Sequence, residues 1–151
     1  MVQDHELVPG VRAAALAPPE RLSLAAIRLI AMGRGQCPGV ARAFDDLLGT
    51  QGKVALKGLA TLARLLPQES RRGLCLGWIC VRGVSWDEAA ILALLEGAQR
   101  SDADAVALWL GRLGLPAASH DLRKGLAWSA AAFAVSGKAF DPAVAHLTRA
   151  E

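Results

Sequence analysis

The stretch SWDEAAILALLEGAQ, residues 85–99, carries the clearest structural signal in the chain. The Ser85 hydroxyl is placed to accept a hydrogen bond from the Glu88 amide, and the Glu88 carboxylate is placed to accept one from the Ser85 amide. This reciprocal arrangement is a capping box, and an apolar run follows it directly. The pattern predicts a helix that begins at Ser85 and buries its apolar residues in a core.

Helical patterns continue on both sides of residues 85–99. Ala and Leu, both strong helix formers, are abundant, tyrosine is absent and runs of β-branched residues are scarce. Prolines in first turns, capping side chains and terminal glycines delimit the other predicted helices. These cover residues 18–32, 37–49, 52–66, 101–114, 119–137 and a short segment from residue 141.

Local signals specify details within these helices. Arg21 and Arg28 lie seven residues apart, on what is predicted to be the solvent-facing side of the first helix. Pro67 disfavours helical geometry at Leu66, so the third helix is predicted to end there. Ser101 is predicted to cap the helix over residues 101–114.

The predicted fold class is all-α, a single compact bundle of six or seven short helices packed at mixed angles, because each connection is short. Residues 18–151 form this domain, and residues 1–17 are an N-terminal arm. The predicted core residues are Leu29, Ile30, Leu59, Leu62, Leu66, Leu76, Ile91, Leu94, Leu95, Val106, Leu110, Leu126 and Phe133.

The composition is typical of one folded domain in a reducing compartment. The chain has 151 residues, of which 53% are hydrophobic and 21% are charged, so it can form a core without a disulfide or a metal. Three cysteines fit reduced thiols better than a disulfide framework. No apolar run is long enough for a membrane span, and the N-terminus lacks the apolar run of a signal peptide. We therefore expect a cytoplasmic protein without a membrane span.

Charge is distributed unevenly, although the net charge is only +3. Residues 47–82 hold six basic and one acidic side chain, whereas residues 83–122 hold six acidic and two basic ones. Such asymmetry either steers a charged partner or reflects two segments that face each other, within one fold or across a dimer. Lys53, Lys57 and Arg64 fall on one face of their predicted helix, because steps of four and seven residues return to the same side.

The candidate partner-binding residues on this basic 53–72 face are Lys53, Lys57, Arg64, Arg71 and Arg72.

Residues 73–83, GLCLGWICVRG, hold two of the three cysteines. Cys75 and Cys80 are five residues apart, and neither a helix nor a strand brings both sulfurs to one side. We interpret them as small buried hydrophobes. The segment is predicted to be largely buried, between the basic helix and the helix that begins at Ser85.

A thiolate site is the alternative interpretation of the cysteines. An irregular loop through Gly77 would allow Cys37, Cys75 and Cys80 to gather around a metal, with His120 as a fourth ligand. Cys37 precedes a proline, and this pair resembles the Cys-Pro dipeptide through which some regulatory proteins bind haem. Cys37 is also the cysteine predicted to be most reactive, because it lies at a helix N-terminus.

Signals of catalysis and of nucleic-acid readout are weak. The chain has no nucleophile elbow, zinc-protease, phosphate-loop or dinucleotide-binding motif, so it is predicted not to be an enzyme and to carry no cofactor. Phosphate contacts would suit the basic 53–72 face. However, no recognition helix with base-reading side chains follows a tight turn, which makes nucleic-acid binding a lesser alternative.

Four stretches together resemble an uncharacterised proteobacterial family of small helical proteins of unknown function. They are RLSLAAIRLIAMG, ARAFDDLLG, VALKGLATLARLL and SRRGLCLGWICVRGVSWDEAAIL, and the resemblance covers about residues 20–115. Members of that family cluster adjacent cysteines, whereas Cys75 and Cys80 are set apart in this chain. The resemblance implies a helical fold and a bacterial cytoplasmic origin, and it implies no activity.

These observations favour a non-catalytic protein-interaction or regulatory module of a bacterial cytoplasm. Its expected partner is a protein with an acidic surface, or a second copy of the chain in a homodimer. The alternative is a metal or haem sensor that uses Cys37, Cys75 and Cys80.

Overall fold

The computed structural model describes residues 6–141 and residue 143. Two short 3-10 helices, Ala13–Ala15 and Gly49–Gln51, accompany the main elements. In chain order the main elements are β1 (Leu7–Arg12), α1 (Pro18–Ala31), α2 (Pro38–Leu48), α3 (Gly52–Glu69), β2 (Gly83–Ser85), α4 (Trp86–Gln99), α5 (Ala103–Arg112) and α6 (His120–Val135).

The fold is predominantly helical, but it is not strictly all-α. Strands β1 and β2 pair antiparallel, with Leu7 opposite Ser85 and Arg12 opposite Gly83, and the register is irregular between these two pairs. Gly10, inside β1, has a φ of 75°. The sequence did not predict this sheet because β2 has only three residues, too few to show an alternating pattern. The pairing attaches the N-terminal arm to the helical part of the chain.

Helix α4 is the centre of the molecule, and the predicted capping box at its start is confirmed. The Glu88 amide donates to the Ser85 hydroxyl at 3.0 Å, and the Ser85 amide donates to the Glu88 carboxylate at 2.9 Å. Every residue from position 87 to position 97 is buried. A helix that is buried on all sides must be covered by other elements, and α1, α5 and α6 all contact it.

Helices α3 and α6 approach each other at two glycines. A Cβ atom on Gly58 would lie 2.7 Å from the carbonyl oxygen of Gly125 and 2.9 Å from the amide nitrogen of Ser129. A Cβ atom on Gly125 would lie 2.8 Å from Cγ2 of Thr61. All three distances are shorter than real Cβ contacts, so this close packing of two helices requires glycine at both positions.

Two predicted helix boundaries are wrong. Helix α3 continues through Pro67 to Glu69, because a proline in the last turn removes a single backbone hydrogen bond while its ring lies exposed to solvent. The N-cap of α5 is Asp102, whose carboxylate accepts from the Ala105 amide at 3.0 Å, and not Ser101. Ser101 instead has a φ of 57° in the turn that leaves α4.

Most of the predicted core is buried. The exceptions are Leu29, Ile30, Leu76 and Val106, which are half-buried. Phe44 and Trp109, both almost inaccessible, add large side chains that the predicted core list lacked. The confirmed core residues are Leu59, Leu62, Leu66, Ile91, Leu94, Leu95, Leu110, Leu126 and Phe133.

The chain beyond α6 returns to the core. Phe140 packs against Phe133 with ring centroids 4.9 Å apart, and the Asp141 amide donates to the buried carboxylate of Glu20 at 2.6 Å. Burial raises the pKa of Glu20, and its second carboxylate oxygen has no hydrogen-bond partner among the described residues. The helix predicted to begin at residue 141 lies almost entirely outside the described residues.

None of the helices in the described part of the chain has the length and apolar character that a bilayer crossing requires.

Candidate functional site

Arg28 is buried, and the prediction that it faces solvent is wrong. Its guanidinium donates from Nε to one Glu88 carboxylate oxygen at 2.7 Å and from Nη2 to the other at 2.8 Å. Its side chain is 2% exposed, and that of Glu88 is 0% exposed. Arg28 follows the buried Leu24 by four residues and so shares its inward face, a spacing that could have indicated the burial.

The Arg28–Glu88 pair also holds residues 77–83 against α1 and α4. Arg28 donates to the carbonyl oxygens of Val81 at 2.8 Å and Gly83 at 2.7 Å, while the Glu88 carboxylate accepts from the Gly77 amide at 3.0 Å. A Cβ atom on Gly77 would lie only 3.0 Å from the guanidinium. One buried ion pair therefore satisfies three backbone groups of an irregular segment.

The prediction that residues 73–83 are largely buried is wrong for their side chains. Trp78 is 51% exposed, Ile79 is 41% exposed, and Cys80 is exposed as well. Polar contacts of the backbone hold this segment in place, together with the half-buried Leu74 and Leu76, which pack against the main core. It contributes surface, with two large hydrophobic side chains in contact with solvent.

The three cysteines occupy different environments. Cys37 is half-buried at the N-cap position of α2, where its side chain makes no capping bond. The Cys75 thiol donates to the Glu6 carboxylate at 3.3 Å. Burial, followed by this hydrogen bond and the negative charge of Glu6, raises the pKa of Cys75 to about 11.

The structure does not assemble the candidate metal ligands. His120 is exposed at the first position of α6. Residues 6–141 and 143 contain no group of three or more His, Cys, Asp or Glu side chains that could hold a metal ion. Cys37, Cys75 and Cys80 are therefore not gathered around one point.

We expect iodoacetamide to modify Cys80 much faster than Cys75 in the native protein. Cys80 is exposed, whereas Cys75 is protonated at neutral pH and its thiol is engaged by Glu6. Because only the thiolate reacts, the Cys75 rate should rise about tenfold per pH unit until the pH approaches about 11. Mass spectrometry of peptides after timed labelling measures both rates, and equal rates at pH 7 would contradict this assignment.

Of the candidate partner-binding residues, Arg72 is engaged within the fold. Its guanidinium pairs with Asp87 at 2.5 Å and donates to the Arg112 carbonyl oxygen at 2.8 Å. The hydrogen bond and the charge of Asp87 raise the pKa of Arg72. The basic and acidic segments therefore meet at this pair, and the half-exposed Arg72 is already engaged by a carboxylate of the same chain.

The remaining candidates are exposed. Lys53, Lys57 and Arg64 project from α3, and Arg71 follows the end of that helix. Lys57 lies 5.5 Å from the ring centroid of Trp128, and Lys124 lies 4.7 Å from it.

An open groove of about 710 Å³ runs between α3 and the end of α1, and we call it the basic groove. Lys57 and Arg64 supply its positive charge. No acidic side chain of the described residues lines it. The other lining residues are Ile30, Ala31, Ala60, Thr61, Ala63, Pro67 and Gln68.

The described part of the chain is a small, predominantly helical domain with an open, positively charged groove on its surface. No family model, no curated protein and no solved structure matches the chain. The geometry and charge of the surface are therefore what bear on function.

Proposed function

We propose that the chain is a non-catalytic protein-interaction module whose basic groove docks an acidic segment of a protein partner. The observation that carries the proposal is the combination of an apolar groove with Lys57 and Arg64 at its edge. No carboxylate of the described residues forms a salt bridge with either side chain. A segment that alternates acidic and apolar side chains would complement both features.

The occupant we favour is a different protein rather than a second copy. Asp87, Glu88 and Glu96 are buried within the fold, and each pairs with an arginine of the same chain. The acidic segment at residues 83–122 thus offers mainly Asp104 and Asp121 to an outside surface. Within this segment a second copy therefore has little negative charge to place in the basic groove, and the exposed Asp45 and Asp46 on α2 make the elution volume a necessary part of the test.

The same features favour protein over nucleic acid. Arg72 is neutralised by Asp87, so it does not extend the positive stripe of α3. The groove is lined by alanine, isoleucine and proline as well as by cations, whereas phosphate backbones are bound through many lysines and arginines. Nucleic acid is therefore the less favoured ligand, and a titration with single-stranded DNA tests it directly.

The thiolate-sensor alternative has less support. A metal-binding thiol must lose its proton, and the pKa of about 11 keeps Cys75 protonated at neutral pH. No contact among the described residues favours a thiolate site.

The test is fluorescence anisotropy with a fluorescein-labelled peptide of alternating glutamate and leucine residues. The wild-type chain should bind it, with an affinity that falls as salt rises. Lys57→Glu/Arg64→Glu should weaken binding by at least about tenfold, since two attractive charges become repulsive. The matched control is Arg42→Glu/Arg123→Glu, two exposed arginines on α2 and α6, which should bind like wild type.

Three results would contradict the proposal. They are equal binding by the Lys57/Arg64 variant and wild type, equal binding of a lysine–leucine peptide, and tighter binding of single-stranded DNA than of the acidic peptide. Melting temperature and elution volume accompany each titration. A lower melting temperature or a changed elution volume for Lys57→Glu/Arg64→Glu would instead assign these side chains to folding or to a homodimer.

A further inference from the structure

A second cavity lies on another side of α1. It has a volume of about 430 Å³, opens to solvent and is lined by the end of β1, the middle of α1 and residues 79–82. This volume falls in the range of small-molecule sites. None of its lining residues belongs to the basic groove, so the two sites are independent.

Three exposed arginines surround this cavity, which we call the arginine pocket. The strand pairing brings two of them together, because Arg12 lies opposite Gly83 and the Ala13 amide donates to the Arg82 carbonyl oxygen at 2.7 Å. Arg21 comes from α1, one turn before Leu24 and Ala25. Three separate parts of the chain thus converge on one opening.

Among the described residues, no carboxylate compensates the charge of these arginines. No acidic side chain lines the arginine pocket, and no salt bridge of the described residues involves Arg12, Arg21 or Arg82. Arg28 also borders the cavity, but its charge is balanced by Glu88. Three like charges held around one cavity repel each other unless an anion enters it.

The interior of the arginine pocket is mainly apolar. Leu24, Ala25, Val81 and Ile79 line it, and Ile79 is 41% exposed at its edge. Guanidinium groups match the oxygens of carboxylates and phosphates through paired hydrogen bonds. The site therefore offers donors for an oxyanion and an apolar surface for the group that carries it.

We propose that the arginine pocket binds a small organic anion in which a phosphate or carboxylate head is joined to an apolar body. The head interacts with Arg12, Arg21 and Arg82, and the body packs on Leu24, Ala25 and Ile79. This site is additional to the basic groove and would serve to make the module responsive to a metabolite-sized anion.

The test is calorimetric titration of the whole chain with phenyl phosphate and, separately, with benzoate. At least one should bind saturably, because each combines the required head with an apolar ring. Inorganic phosphate, which lacks the body, and phenol, which lacks the head, should each bind at least about tenfold more weakly. Equal affinity for either of these two compounds would overturn the proposal, as would the absence of saturable binding by both probes.

Variants assign the binding to the cavity. Arg21→Gln/Arg82→Gln should weaken binding of the better probe by at least about tenfold, since two charge-assisted hydrogen bonds are removed. Arg42→Gln/Arg123→Gln should bind it like wild type. Both variants change exposed side chains, and their melting temperatures verify folding. Unchanged affinity of the Arg21/Arg82 variant would overturn the proposal.

Cys80 provides an independent readout, because it lines the arginine pocket and is exposed. A saturating probe should slow its alkylation by neutral iodoacetamide and leave Cys37 unaffected. Unchanged Cys80 alkylation at saturation would place the bound anion elsewhere and contradict the proposal. Lys57→Glu/Arg64→Glu should retain probe binding, so failure of the basic groove is distinguishable from failure of this site.

Discussion

Arg28→Met is expected to lower the free energy of unfolding by about 3–5 kcal/mol. The substitution leaves the Glu88 carboxylate buried at 0% exposure without its counter-charge. It also removes the donors to the Val81 and Gly83 carbonyl oxygens, which loosens the irregular segment. Urea denaturation followed by circular dichroism measures the change.

The control for Arg28→Met is Arg21→Met, on the same helix but exposed, which should change stability by no more than about 0.5 kcal/mol. The double variant Arg28→Met/Glu88→Gln should recover part of the loss. Glutamine removes the unpaired charge and keeps an oxygen that can accept from the Ser85 amide. A loss below about 1 kcal/mol for Arg28→Met would show that the pair is not a major source of stability.

Gly58→Ala is the second change with a large expected effect, a loss of about 1–3 kcal/mol. Alanine has the higher intrinsic helix propensity by about 1 kcal/mol, which alone would stabilise α3. The added methyl group would however lie 2.7 Å from the Gly125 carbonyl oxygen, so α3 and α6 would have to separate. Packing should therefore outweigh propensity at this position.

Gly111→Ala is the matched control for Gly58→Ala. Gly111 also lies in a helix, α5, but a Cβ atom there would meet nothing within 4 Å. We expect this change to leave stability unchanged or to raise it by up to about 1 kcal/mol. Thermal unfolding measures the stability of both variants. If Gly58→Ala raised stability as much as Gly111→Ala, the close packing of α3 against α6 would be refuted.

Features that depend on neighbours in sequence were predictable. The Ser85–Glu88 capping box, Pro38 at the start of α2 and Gly49 at the end of α2 are local signals. Each lies where the sequence pattern predicted it. The exposure of Lys57 and Arg64 also follows from helical spacing alone.

Features that depend on distant residues were not predictable. The spacing from Leu24 could have indicated that Arg28 is buried, but its partner Glu88 lies 60 positions away and could not be identified from the sequence. The same ion pair decides the position of residues 77–83, so the prediction for the cysteine segment failed with it. On the basic 53–72 face, Arg72 forms a salt bridge and the α3 cations do not. This difference depends on where Asp87 lies in the fold.

The candidate site also depends on residues that are distant in sequence. Helical spacing identified the cations of the basic groove, but the groove itself requires the end of α1 to lie beside α3. The arginine pocket requires the pairing of β1 with β2, and neither strand shows an alternating pattern that would have predicted it. Shape is a tertiary property, whereas charge on a helix face is a local one.

The irregular pairing of β1 with β2 has a consequence for aggregation. A two-stranded sheet leaves the outer backbone groups of both strands open to a strand from another molecule. In β1 the exposed Pro9 has no amide proton to offer, and Gly10, at a φ of 75°, interrupts the extended course of the backbone. Arg12 adds a charge at the end of the strand. A chain that is 53% hydrophobic thus carries a strand whose edge is a poor template for intermolecular sheet growth.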